Sequence, residues 1–235
     1  ADLVERMLTQ SDDDLAEALG HLAGGRLGGG ASFEGGARAS LKVLADLGVP
    51  APGVLIADGS GLSARDRLPA QTLVSLIAAV VKDAPAALPG SDRPAPLLWP
   101  VLSGMPVAGV TGTLATRFDT AGTAVGRGVV TAKTGTLTGV NALAGVVRGQ
   151  SGRLLAFAFI GAQSPGPQLS ARNALDRAAA AVAADVLRMV VMGRSSCGRI
   201  VARAPARHAQ RSSKPAARSR ATPVLVEPCA RESQR

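Results

Sequence analysis

Three segments of strand length, "GVVTAKTGTL", "NALAGVVRG" and "RLLAFAFIG", follow one another with turns rich in Gly, Ser and Asn between them. Short turns oblige successive strands to reverse direction, so the spacing predicts an antiparallel meander. It is followed by "LSARNALDRAAAAVAADVLRMVV", which reads as one long helix closing the body. Such a helix buries its apolar side by covering one face of the sheet. The pattern therefore predicts an α+β fold, an antiparallel sheet with flanking helices.

Upstream, Leu3, Val4, Met7 and Leu8 fall at helical spacing, "SDDD" interrupts, and Leu15, Ala16, Leu19 and Leu22 resume. Ser11 followed three residues later by Asp14 resembles a capping box, so Ser11 is expected to cap the second helix. The glycine-rich "GGRLGGGASFEGG" is expected to end that helix and start a loop, and "RASLKVLADLGV" to form a third helix. "APGVLIADGSGLS" reads as a short strand running into a turn, and "PAQTLVSLIAAVVKDA" as a helix with Pro69 in its first turn. The Pro-rich "PAALPGSDRPAPLLWP" reads as a surface connection, and "GVTGTLATRF" as a turn into a short helix or extended segment.

The formal net charge of +9 would suit a nucleic-acid partner if it were spread over the fold. It is concentrated instead. Residues 194–235 hold ten Arg or Lys against two Glu, net +8, leaving sixteen basic and fifteen acidic residues, net +1, for residues 1–193. The chain divides accordingly into a body, 1–193, and a basic tail, 194–235, expected to be disordered because its composition offers little to bury. An anionic surface or nucleic acid is the partner such a tail could take, although no aromatic residues are interleaved with its charges. Cys197 and Cys229 are the only cysteines and both lie in the tail, which leaves the body no thiol nucleophile and no Cys-based metal site. No run of 18 apolar residues suggests a transmembrane segment. The opening "ADLVERMLTQ" has no initiator Met and begins within an amphipathic pattern, as expected for the middle of a larger protein.

Two clusters can carry chemistry. Lys133-Thr134-Gly135 sits inside a predicted strand, where a lysine ordinarily serves as an outward solubilising charge. Here Thr131, Ala132, Thr134, Gly135 and Thr136 surround it with small side chains, so an extended peptide could lie against the strand and pair with its edge. Ser11-Asp12-Asp13 places a hydroxyl and short polar groups at a break between helices, where they could relay a proton or hold an amide.

Other patterns are excluded. Gly59-Ser60-Gly61-Leu62-Ser63-Ala64 fits a dinucleotide fingerprint, but the helix after it leads to the Pro-rich loop rather than to a second strand with an acidic end. A Ser-His-Asp triad would have to use His21, and no G-x-S-x-G elbow exists. Two distant histidines, with no H-E-x-x-H, give no metal site, and no cofactor is expected.

A serine hydroxyl between helices with K-T-G over a hundred residues later resembles the penicillin-recognising serine enzymes, whose motifs are S-x-x-K, S-x-N and K-T-G. "LTQSDDDLAEALG", "DGSGLSARDRLP", "MPVAGVTGTLATRF" and "TAKTGTLTGVNALAGVV" are similar in order and spacing to the D-alanyl-D-alanine carboxypeptidase/endopeptidase family, the low-molecular-mass penicillin-binding proteins. The resemblance spans roughly residues 1–190 and implies the C-terminal part of a penicillin-binding/β-lactamase-like transpeptidase fold.

By that resemblance Ser11 is the serine of the second motif, shuttling a proton toward the leaving amine. Lys133 is the lysine of the third, supporting Ser11 and the substrate's terminal carboxylate. Thr134 and Thr136 would bind that carboxylate or its neighbouring amide beside Gly135. The Thr136 backbone N–H would supply half of an oxyanion hole, a donor worth about 3 kcal/mol. Gly59 and Gly61 would be turn residues near the site, with no chemical role for Ser60.

The resemblance further implies serine-type hydrolysis of D-Ala-D-Ala termini or cross-links in peptidoglycan through an acyl-serine. Stem peptides and β-lactams would be the partners, and the location periplasmic or otherwise extracytoplasmic, at the cell wall. Two departures stand out. No Ser in the chain has a Lys three positions later, so the isolated chain is expected not to acylate. Asp13 occupies the place of the family's Asn, exchanging a group that donates and accepts for one that, ionised, only accepts. A carboxylate there could pair with Lys133 but would repel an acidic terminus. A non-catalytic remnant that binds a partner or anionic polymer through the tail is the alternative reading.

Overall fold

The strand-length segments pair as their short turns demand. In the computed structural model, which describes residues 1–83, 97–148, 154–162, 167–191 and 227–228, they become β1 (Val130–Leu137), β2 (Val140–Arg148) and β3 (Leu154–Ala162). The three are antiparallel neighbours in chain order, and a two-residue β4 (Glu227–Pro228) pairs with β3 at Leu155 and Ala156. Between β1 and β2 the hairpin turn is Thr138-Gly139, where Gly139 takes the positive φ of 74° that such tight turns favour. The remaining residues of the tail, and the disorder expected for them, lie outside the described residues. So do residues 84–96 of the Pro-rich connection.

Alternation along the strands gives the sheet two apolar faces. Val130, Ala132, Leu143, Val147, Phe157 and Phe159 pack against α6 (Gln168–Val191) through Ala179, Ala180 and Ala183. Small alanines on that helix let it sit close to the sheet. On the other face, Ala144, Val146, Ala156 and Ala158 meet Val74, Ile77 and Val80 of α4 (Ala70–Asp83) and Leu102 of α5 (Trp99–Ser103). Each large side chain buried this way contributes about 1.5–3 kcal/mol. The sheet is thus a middle layer, which explains why β2 and β3 read as near-continuous apolar runs.

Two further helices, α1 (Asp2–Gln10) and α2 (Asp13–Arg26), flank the "SDDD" break. The glycine-rich stretch is divided between structures. α2 runs on through Gly24 and Gly25, and α3 (Phe33–Asp46) begins five residues before the expected "RASLKVLADLGV", because Ser32 accepts a hydrogen bond from Gly35 N–H at 3.1 Å and caps it. Gly24 and Gly35 allow α2 and the start of α3 to touch, since a methyl on either would run into the backbone around Gly30.

The short strand expected in "APGVLIADGSGLS" is reduced to one bridge, Leu55 to Arg67. Carboxylates compete for its backbone. Asp58 accepts the N–H groups of Gly61 (2.6 Å) and Ser63 (2.7 Å), and Asp66 that of Ala57 (2.7 Å), so the segment folds as a stapled loop. Among the described residues no helix is long and apolar enough to cross a membrane.

Candidate active site

β1 pairs with β2 on one side only, and its other edge is treated differently along its length. At the start, Ala108 N–H donates to Val130 O and Ala132 N–H to Pro106 O, both at 2.9 Å. Those bonds fix which residues point their polar groups outward, and strand alternation sends the N–H and C=O of Thr134 and Thr136 the same way. Among the described residues no backbone group pairs with that second half of the edge.

Lys133 projects from the opposite face to Thr134 and Thr136. Its Nζ donates to Ser11 Oγ at 2.6 Å and to Thr134 O at 2.8 Å. Ser11 is available for this because it does not cap α2, contrary to the capping box expected from Ser11 and Asp14. Asp12 takes that place, its Oδ1 accepting Leu15 N–H at 2.9 Å. Ser11 instead ends α1 with φ 56° and ψ 53°, a left-handed conformation costing a non-glycine residue about 1–2 kcal/mol. The twist turns its hydroxyl away from either helix and toward the sheet.

Burial pushes the Lys133 ammonium below the ordinary lysine range, and the negative charge of Asp13 partly offsets this. Asp13 itself is exposed at the first position of α2 and makes no ion pair with Lys133, whose contacts are to neutral oxygens.

Ser11, Asp13, Lys133, Thr134, Gly135 and Thr136 all line one cleft of about 390 Å³, whereas Asp12, of the same polar cluster, caps α2 and does not line it. The structure adds others. Thr113 lies within hydrogen-bond distance of Thr134, Oγ1 to Oγ1, at 3.0 Å. Its 3₁₀ turn (Gly112–Leu114) is locked to the end of α1, because Gly112 has φ 54° and a methyl there would strike Thr9 O.

Ser60, Gly61 and Leu62 form another wall. Glu17 holds that loop, its two oxygens accepting the N–H groups of Gly59 and Ser60 at 3.0 Å each. Burial pushes the Glu17 carboxyl up, but the Ser60 hydroxyl and those two amides outweigh it and leave it below the usual range. The glycine pattern that resembled a dinucleotide fingerprint is therefore a junction between α2 and the cleft loop.

Arg117 and Arg172 complete the lining. Arg117 and Asp176 are 7% and 4% exposed and form a two-pronged ion pair, Nε to Oδ2 at 3.1 Å and Nη2 to Oδ1 at 2.5 Å. Nothing in local spacing announces a pair 59 residues apart. The available signal was an aspartate interrupting the alanine-rich face of α6. Among the described residues no three His, Cys, Asp or Glu side chains gather as a metal would need.

Chemically, a lysine with a weakened hold on its proton donates to a hydroxyl that keeps its own hydrogen free for another acceptor. That is a two-group path for a proton. Beside it runs a strand edge with unpaired amides, which suits an extended peptide.

Residues 1–182 match the D-Ala-D-Ala carboxypeptidase 3 (S13) family. Carboxypeptidase DacB of Mycolicibacterium smegmatis is 40% identical over 184 residues, covering 77% of this chain and 37% of that protein. A D-alanyl-D-alanine carboxypeptidase of an Actinomadura species is 36% identical over 162 residues, covering 67% of this chain and 27% of its own length. Among solved structures, penicillin-binding protein 4 (dacB) of Haemophilus influenzae, complexed with a β-lactam, superposes with a TM-score of 0.64 at 28% identity, covering 79% of this chain and 40% of its own. The expected penicillin-binding, α+β architecture is the one found, and the chain spans well under half the length of these relatives. With four fifths of the fold superposed and residues 1–182 matched, this chain belongs to the D-Ala-D-Ala carboxypeptidase 3 (S13) family.

Proposed function

We propose that residues 1–193 supply the proton-relay and substrate-strand half of a serine-type D-Ala-D-Ala carboxypeptidase/endopeptidase acting on peptidoglycan stem peptides. The observation that carries this is the 2.6 Å hydrogen bond from Lys133 Nζ to Ser11 Oγ beside an unpaired strand edge.

In the reaction, the serine hydroxyl of an S-x-x-K motif, which these 235 residues do not contain, would give its proton to that motif's lysine as its oxygen bonds to the carbonyl carbon of the penultimate D-Ala. The carbonyl oxygen takes the negative charge and the Thr136 N–H donates to it, an interaction worth about 3 kcal/mol. As the C–N bond breaks, Ser11 gives its proton to the departing D-Ala nitrogen and is resupplied by Lys133. Burial of Lys133 favours that transfer. Water then cleaves the acyl-serine ester.

Thr134 and Thr136 orient the peptide end. Gly135 keeps the strand face open, and the fold itself has no need of a glycine there. Its φ is not positive, and an added methyl would lie 3.4 Å from the Ala142 Cβ, an ordinary contact. Asp13 lacks the donor that an Asn would offer a substrate carbonyl, so turnover is low and Asp13→Asn raises it. Such a protein works outside the cytoplasm, on the cell wall, and takes β-lactams, a reading supported by the β-lactam complex of its Haemophilus relative.

Covalent labelling by a fluorescent penicillin tests this once the chain is joined to the part of the M. smegmatis relative that it does not cover. A labelled band weakened roughly a hundredfold by Lys133→Ala is expected. A folded chimera that takes no label sinks the reading. The basic tail supports a second, binding role through its net charge of +8 alone. Heparin retention that survives deletion of residues 194–235 rules that role out.

A further inference from the structure

At the side of the sheet away from the cleft, β3 presents an outer edge whose polarity follows from β1. Arg148 N–H donates to Val129 O, so the odd-numbered residues of β1 turn their N–H and C=O groups to β2. Through the registers of β2 with its two neighbours, Leu155, Phe157 and Phe159 then face β2, and Ala156 and Ala158 turn theirs outward. Ala156 is met there by Glu227 of β4. No described residue pairs with Ala158, yet Ala158 is only 1% exposed. Outward N–H and C=O groups shut off from water need a partner. α4 and α6 pack on the two faces of the sheet, above and below the line of those bonds.

β4 points to what lies there. Because it runs antiparallel to β3, continuing its register upstream would set Val226 opposite Phe157, Leu225 opposite Ala158 and Val224 opposite Phe159. Residues 221–226, "ATPVLV", are the longest charge-free run of the tail, and Val224-Leu225-Val226 is its only succession of three large aliphatic side chains. Such residues suit a strand. The prolines fit as well. Pro228 stands opposite Leu155, whose polar groups face β2, so the N–H that proline lacks belongs to the solvent side, where an edge strand tolerates it. Pro223 falls at the first position of the run, another place open to proline.

We propose that the outer edge of β3 is the docking site of this chain's own residues 223–228, which complete the sheet as a full outer strand, with Leu225 exchanging both backbone hydrogen bonds with Ala158. The strand takes the edge that a strand of another chain would otherwise join. Its tether to α6 keeps it at high local concentration, so a short pairing suffices. The tail is then two parts with separate duties: a sheet-closing strand, and a basic stretch from Arg194 to Arg220 fastened at both ends.

Amide hydrogen exchange followed by NMR tests this on the full chain, on Leu225→Pro, on Val224→Pro and on a chain ending at Ala221. In the full chain the Ala158 amide is expected to be protected. Leu225→Pro removes the N–H aimed at Ala158 O and should speed Ala158 exchange at least roughly tenfold, while Phe157 and Phe159, bonded to β2, keep their protection. Val224→Pro loses an N–H that points to solvent and should change little. The shortened chain should behave as Leu225→Pro does, and if it does not fold, the two proline variants decide alone. An Ala158 amide unprotected in the full chain, or equal effects of the two prolines, overturns the proposal. Protection that rises with protein concentration assigns the strand to a second copy and overturns it too.

Discussion

The first half of β1 and its second half share one strand and one neighbour, yet their outer edges are handled in opposite ways. At Val130 and Ala132 the side chains are fully buried and the outward polar groups are bonded to Ala108 and Pro106. From Lys133 to Thr136 no backbone pairs with that edge among the described residues, and the side chains are small apart from the lysine at the junction. Exposed strand edges invite pairing with other chains, and a fold ordinarily covers or charges them. Here the covered half anchors the strand, and the open stretch is kept short.

Four perturbations break or sharpen that contrast. Arg117 lines the cleft beside the open half but is buried in a pair with Asp176 of α6, so Arg117→Ala should cost about 3–5 kcal/mol by leaving Asp176 charged, buried and alone. Urea unfolding measures it, and pairing the change with Asp176→Leu should return much of the loss. Val130→Ala, in the covered half, should cost about 2 kcal/mol while leaving peptide affinity per folded molecule unchanged. Gly135→Val, in the open half, should do the reverse, shifting stability by only about 0.5 kcal/mol yet abolishing binding of a peptide ending in D-Ala-D-Ala, followed by NMR titration. A large stability loss at Gly135 would dissolve the distinction.

The smallest effect is expected from pH. Burial lowers the folded-state pKa of Lys133, so through the window from that value up to the ordinary lysine range the unfolded chain binds more protons. Stability contributed through this group therefore rises with pH. Thermal melts should show Lys133→Met losing ground to the wild type as pH climbs from neutral toward about 10.4. A constant difference would mean that Lys133 is not desolvated.

Much of this was legible from local pattern. Segments of strand length separated by turns rich in Gly, Ser and Asn located the three strands, and the long helix covers one face of the sheet as expected. The K-T-G residues and Ser11 could be paired through their likeness to a family, but the capping assignment went astray. Ser and Asp are both good caps, and only the left-handed turn at Ser11 hands that place to Asp12. The glycine run was split between helix and loop because close contact between α2 and α3, invisible in a linear pattern, rewards glycine inside helices. Arg117, Arg172 and Thr113 escaped notice for a related reason. The partner of Arg117 lies 59 residues away and that of Thr113 lies 21 away, Arg172 meets the cleft only through the fold, and an isolated arginine or threonine has no spacing to betray it.

The contact between Lys133 and Ser11 joins positions 122 residues apart. Closing so long a loop costs little more entropy than closing a shorter one, since the cost grows only with the logarithm of length. Its timing is another matter, because contacts between distant segments form slowly and need the pieces on both sides to be in place. A chain with a finished sheet but undocked α1 and α2 has the lysine and not its serine. During refolding, the environment of Lys133 Nζ is thus expected to report the moment at which the helices and the sheet meet.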